Sequence, residues 1–275
     1  MKTLIAHIAD ARLLGELKAS YAFLERNVHL VRRYVGWEIC FLVYSTVSTL
    51  AIGLIGRTMG DEEMVLYLVI GALMWNFLAN IFNEVAHTIS WERWEGTLEY
   101  TFMAPVHRMT HLVGVTWFAV LYGLARTLIV LLAASWFFGL SLSDANLWGG
   151  LIVLAASCPA MLGLGLVVAV LPLMSAEKGT QAAHIILGVV LLVSGVYYPL
   201  DVLPGWLQAI GRLSPVTYTL DGVRGAILEA TPTRELLPLA FSLLLTGAVL
   251  IPLGYAVFLQ GERYAKRNGL LKRSG

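Results

Sequence analysis

Apolar residues run almost unbroken over about 35–55, 64–82, 112–138, 149–171, 183–199 and 236–259. Most of these runs reach or approach the roughly 20 residues that an α-helix needs to cross about 30 Å of hydrocarbon. The pattern predicts six transmembrane helices. Residues 1–34, ahead of them, have no continuous apolar run, so neither a cleaved signal peptide nor a first span is expected there. Within that segment Tyr21, Leu24, Val28 and Val31 recur at three and four residues, with Arg26, Arg32 and Arg33 on other faces. Such spacing predicts an amphipathic helix lying in the headgroup region.

Composition strengthens this reading. Hydrophobic residues make up 58% of the 275 and charged residues 13%, against about 45–50% and about 25% in a soluble domain. The net charge of +1 decides nothing, but its distribution does. Of the nineteen Lys and Arg, fourteen fall in 1–34, 83–111, 172–182 and 260–275. Four (Arg57, Arg212, Arg224 and Arg234) fall in the alternate connections. That positive-inside bias places both termini in the cytoplasm. The nineteenth, Arg126, sits within the third run between Tyr122 and Thr127 and is a candidate intramembrane polar contact. Cys40 and Cys158 lie inside apolar runs and define neither a disulfide framework nor a metal site.

Two segments break the apolar rhythm. After the fifth run, GVYYPLDVLPGWLQAIGRLSPVTYTLDGVRGAIL is aromatic and proline-punctuated yet carries four charges. Leu203-Pro204 and Ser214-Pro215 each resemble a helix start, the second with Ser as N-cap and Pro at the first helical position. Two short helices dipping into the outer leaflet are expected, because non-helical backbone at that depth needs protein or a wet cavity to satisfy it. Between the second and third runs lies SWERWEGTLEYTFMAPVH. On one helix, Trp91, Trp94, Leu98 and Phe102 form a stripe, and Glu92, Glu95 and Glu99 form another. An acidic stripe gains nothing from an anionic leaflet, which attracts basic segments. It suits a groove in a protein partner that offers basic residues.

ERWEGTLEYTFMAPVHR resembles the cytoplasmic loop of type-2 ATP-binding-cassette (ABC) exporter permeases, an acidic Gly-Thr-Leu-Glu segment followed by Pro-Val. YYPLDVLPGWLQAIGRLSPVTYTLDGVRGAIL is similar to the re-entrant extracytoplasmic segment of the same family. The resemblance implies an all-α integral membrane protein of six transmembrane helices. It implies an interfacial N-terminal segment (1–34), a permease domain (35–259), a basic cytoplasmic tail (260–275) and a re-entrant helical segment between spans five and six. A coupling helix over about 91–102 would carry Trp91, Glu92, Trp94, Glu95, Gly96, Thr97, Leu98 and Glu99 to a cytoplasmic ATPase. A gate over about 200–230 would close the outer end, with Tyr197, Tyr198, the Pro199-Leu200 step, Pro204, Trp206 and Pro215. The implied assembly has two permease subunits, identical or homologous, and two ATPase copies in the plasma (inner) membrane. ATP and Mg would belong to the partner, with no cofactor on this chain and no nucleic acid. The tryptophans at 91 and 94 depart from the usual charge-rich start of that loop.

The sequence itself has no G-x-x-x-x-G-K-[ST] phosphate loop, so nucleotide hydrolysis of that kind must lie on another chain. Glu84-x-x-His87 is half of a di-iron pair without its second half. His107 and His111 lack a third ligand. The spacing of Ser175 and Lys178 lacks the companion motifs of a serine enzyme. The function expected is export of an amphipathic or lipid-like molecule. Polysaccharide or glycolipid export by the same architecture, or ATP-independent transport, are the alternatives.

Overall fold

The computed structural model describes residues 2–103, 107–140, 144–175 and 178–270, with side chains from Leu14 onward except those of Val85, Phe102 and Arg108. Pro105-Val106 and the last residues of the basic tail lie outside them, as does the Phe102 side chain. Among the described residues all regular structure is helical, in the order α1 (Lys2–Arg33), α2 (Val35–Thr58), α3 (Glu62–Glu95), α4 (Leu98–Met103), α5 (Arg108–Phe138), α6 (Leu147–Val168), α7 (Val170–Met174), α8 (Gly179–Val193), α9 (Gly205–Gly211), α10 (Pro215–Ile227) and α11 (Thr233–Arg267). Five stretches are long and apolar enough to cross a membrane: Val35–Thr58, Glu62–Glu84, Met109–Phe138, Leu147–Met174 and Thr233–Arg267. The chain is a multi-pass membrane protein.

Side-chain oxygens and nitrogens start several of these helices. Asp61 accepts the Glu63 N–H at 2.9 Å ahead of α3, and Asn146 accepts the Gly149 N–H at 2.9 Å ahead of α6. The spanning parts of α3 and α6 are the most enclosed; those of α2, α5 and α11 leave most of their surface outward. The core follows from this, with Val69, Ile70, Leu73, Phe77 and Leu78 of α3 meeting Val153, Ala160 and Met161 of α6. α6 and α11 run side by side because small residues let their backbones touch. A Cβ on Gly254 would stand 2.3 Å from the Gly163 carbonyl oxygen, and one on Gly163 would stand 2.5 Å from the Leu250 carbonyl carbon.

Two expectations are corrected by the structure. The fifth run does not continue to residue 199. α8 stops at Val193, and Gly195 turns the chain with φ +66°. Its fifteen residues rise about 22 Å, short of the hydrocarbon thickness. The Gly195 and Val196 carbonyls freed by that turn accept from Arg224 of α10 at 3.1 and 2.6 Å, and the guanidinium lies 3.6 Å over the Tyr67 ring. Secondly, α9 and α10 begin where the prolines place them, after Pro204 and at Pro215, but Ser214 does not cap α10. Its hydroxyl is 2.9 Å from that of Ser194, tying the α10 start to the α8 end. α1 packs on α5 through a face other than the stripe of Tyr21, Leu24, Val28 and Val31. Gly114 abuts Ser20 and Phe23, and Asn27 is buried. Tyr21 is exposed together with Leu14 and Leu17, so an apolar strip remains on the outside of α1.

Candidate coupling site

The helix that begins as the second span does not stop at its apolar end. α3 runs on past Glu84 to Glu95, and Gly96 then ends it in the left-handed conformation at φ +77°. The Thr97 N–H reaches the Glu92 carbonyl at 2.8 Å and the Gly96 N–H reaches that of Arg93 at 3.2 Å. This is the pairing of a glycine-terminated helix end. The single helix expected over 91–102 is therefore two pieces, the last turn of α3 and the short α4, because only glycine adopts that backbone without strain.

The break changes which side chains share a face. Leu98, directly after it, is 1% exposed and packs with Ala86, Ile89 and Leu112. Trp91 and Trp94 stay outside, their rings 5.4 Å apart. Glu95, Thr97 and Glu99 are exposed, as are Tyr100 and Met103 of α4. Glu92 separates from the other two acids. It is 1% exposed, with Oε1 2.8 Å from Arg26 Nη1 of α1 and 3.2 Å from His111 Nε2 of α5. Burial alone would raise its pKa, but the His111 and Arg26 interactions outweigh that and hold the carboxyl below the usual glutamate range.

Arg93, which the sequence did not single out, faces the other way into the protein. Its Nη1 donates to the Pro172 and Leu173 carbonyls of α7 at 2.7 and 3.0 Å, and Nη2 donates to the Leu270 carbonyl beyond α11. Two of these are carbonyls at a helix C-terminus, which have no partner inside their own helix. Ser90 adds a 2.7 Å hydroxyl contact to Thr180 of α8. The last two turns of α3 thus touch α1, α5, α7, α8 and the segment after α11.

A cavity of about 760 Å³ opens beside this point, bounded by α1, α2, α3, α5 and α8. Arg126 lies on its wall and donates to the Phe41 carbonyl of α2 at 2.6 Å, and Tyr122 donates to Glu38. The residues expected at the outer gate lie toward the opposite end of α3. Tyr197 is half-buried and Pro215 buried, whereas Pro199, Pro204 and Trp206 are exposed. The Tyr198 hydroxyl donates to the Leu192 carbonyl at 2.5 Å. Among the described residues no group of three or more His, Cys, Asp or Glu is placed to hold a metal ion.

An all-helical, multi-pass bundle whose second spanning helix projects an acidic, aromatic end is the class that these observations define. The family model for the ABC-2 type transporter matches residues 22–228, three quarters of the chain. The chain belongs to the ABC-2 type transporter family, as its membrane-embedded permease component. A comparison with curated proteins finds no match.

Proposed function

We propose that this chain is the permease subunit of an ATP-driven exporter that moves an amphipathic or lipid-like molecule out of the cytoplasm or inner leaflet. It works as a dimer, with the same or a homologous chain, on two copies of a cytoplasmic ATPase. α8, shorter than the hydrocarbon is thick, serves as a sixth membrane helix with the turn at Gly195 at its end, α9 and α10 form the re-entrant outer gate, and the outer strip of α1 lies in the headgroup layer of the plasma membrane. Both termini are then cytoplasmic. The observation that carries this reading is the end of α3. An exposed patch of Trp94, Glu95, Glu99, Tyr100 and Met103 is presented by a segment anchored through Glu92 and Arg93 to four other parts of the bundle. Closure of the ATPase pair pushes on that patch, and the buried anchors pass the push to α1, α5 and α7.

The mechanism needs no chemistry on this chain. Its energy is the difference in ATPase contact free energy between two arrangements of the bundle, and a partner can bias an equilibrium only by such a difference. The test is purification of the tagged full chain from its host in mild detergent, with co-eluting chains identified and ATPase activity assayed. A stoichiometric P-loop ATPase whose turnover depends on this chain is expected. A chain that emerges alone and indifferent to ATP in several detergents would sink the reading.

A further inference from the structure

The cavity beside the coupling site carries an imbalance of charge that the ABC reading does not use. Its wall holds three acidic side chains, Glu38, Glu84 and Glu95, and two guanidinium groups. Arg26 is already committed to Glu92 at 2.8 Å, and Arg126, bonded to the Phe41 carbonyl, is the other guanidinium on the described wall, which His87 and His184 also line. Glu84 is half-buried and makes no hydrogen bond or ion pair to any described residue. A carboxylate in such a place, on an otherwise apolar helix and at the edge of hydrocarbon, is costly unless something positive meets it.

The remaining wall supplies what meets the rest of such a molecule. Trp37, Phe41, Trp91, Trp94 and Phe118 face the same space, four of them well exposed or partly so in the free chain. Aromatic faces attract cations through their quadrupole, most strongly where water is scarce. A volume of about 760 Å³ lies within the roughly 300–1,000 Å³ of small-molecule sites. An anionic amphiphile would set its charge against the three acidic side chains, which disfavours it as much as the aromatics favour its body.

Resting on the exporter reading, we propose that this cavity selects organic cations: molecules with one positive charge on an aromatic or aliphatic body, the charge directed at Glu84 and Glu38 and the body against Trp37 and Phe41. Glu84 is then the residue that sets the sign of the substrate's charge.

The test compares two ions of the same shape and opposite sign, tetraphenylphosphonium and tetraphenylborate. Each is titrated into the purified full chain in neutral detergent, and quenching of tryptophan fluorescence is followed. Saturable quenching is expected from the cation and not from the anion. Glu84→Gln should weaken cation binding about tenfold, as loss of a charge-assisted contact does, while Glu84→Asp should retain it. Glu63→Gln, at the far end of α3, should change nothing. Equal binding of the two ions, no saturable binding of either (the result if a second copy of the chain fills the groove), or a Glu84→Gln protein that binds as before would each overturn the proposal. The comparison of the two ions on the unaltered chain decides even if a variant fails to fold. No ATPase takes part, so a failed cation site leaves the partner reading standing, and a missing partner leaves the cation titration fully readable.

Discussion

Glu92 of α3 and Arg26 of α1, sixty-six residues apart, meet at 2.8 Å with the carboxylate almost fully enclosed. His111 of α5 stands 3.2 Å from the same carboxylate oxygen. One side chain therefore holds the N-terminal helix, the second spanning helix and the third together, directly behind the surface assigned to the ATPase.

Removing that charge should loosen α1. Glu92→Gln leaves Arg26 without its counter-ion and removes the carboxylate beside His111. Because Arg26 is 38% exposed, the cost should fall below that of a fully buried pair, at about 1–3 kcal/mol. Thermal unfolding in detergent should shift down, and proteases should cut sooner around Tyr34, between α1 and α2. The Glu92→Gln/Arg26→Gln double variant should cost less than the sum of the two single changes. Strict additivity would show that the two side chains do not act as a pair.

The same residue predicts a pH dependence. Its carboxyl is held below the ordinary glutamate value, since His111 and Arg26 outweigh the effect of burial. A depressed carboxyl contributes stability that is fully present above the unfolded value of about 4.3 and is lost as pH falls through the lower, folded value. The stability gap between the unaltered chain and Glu92→Gln should therefore be constant from neutral pH down to about 5 and close below about 4. A gap that closes between pH 6 and 7 would place the titration elsewhere.

Arg93→Lys should be harmful although it keeps the charge. A guanidinium reaches three carbonyls on two separate segments, and a lysine ammonium lacks that planar fork. Loss of one to two of these bonds inside the protein should cost about 1–3 kcal/mol. The readout is digestion from the C-terminus by carboxypeptidase, which should reach Leu270 faster in the variant. Unchanged digestion would mean that Leu270 is held by other contacts.

Much of this was legible in the chain and some was not, for identifiable reasons. Apolar run length located the long helices, since burying that many apolar residues in lipid leaves few options. The prolines at 204 and 215 located α9 and α10 because they remove a backbone donor and fix φ. The end of α8 was missed although Gly195 stood in view, because an apolar run says nothing about where the backbone turns. The acidic stripe was misdrawn for a similar reason. A 3.6-residue period assumes an unbroken helix, and Gly96 breaks it between Glu95 and Glu99. A signal did exist: Phe82, Ala86 and Ile89 recur at four and three, and one further step of four lands on Arg93. The pairing of Glu92 with Arg26 had no local signature, since it depends on α1 lying across α5.

Gly96 itself should tolerate little. At φ +77° a Cβ costs about 1–2 kcal/mol, so Gly96→Ala should lower stability by that amount, and Gly96→Asn should recover part of it. Either change also alters the angle between α3 and α4. ATPase turnover should fall in Gly96→Ala by more than the loss of folded protein explains. A fall matched to the folded fraction would assign Gly96 to folding alone.

The three glutamates of SWERWEGTLEYTFMAPVH, Glu92, Glu95 and Glu99, divide into two kinds, and this division is the most direct test of the coupling site. Glu92 is enclosed and paired, so its loss should reach the partner only through stability. Glu95 and Glu99 are exposed, and replacing either with Gln should leave the unfolding temperature within error. If they meet basic residues of the ATPase, Glu95→Gln with Glu99→Gln should weaken its binding about 5- to 30-fold, with most of the change in dissociation and a reduced salt dependence. Trp94, 71% exposed beside them, should act as the apolar anchor, and Trp94→Ala should cost at least as much as both charges together. The measurement is surface-immobilised ATPase binding of detergent-solubilised chain at two salt concentrations, run beside a thermal melt of each variant. Loss of binding in the Glu92 variant alone, with Glu95 and Glu99 silent, would move the contact off this surface and make the buried pair its only role in coupling.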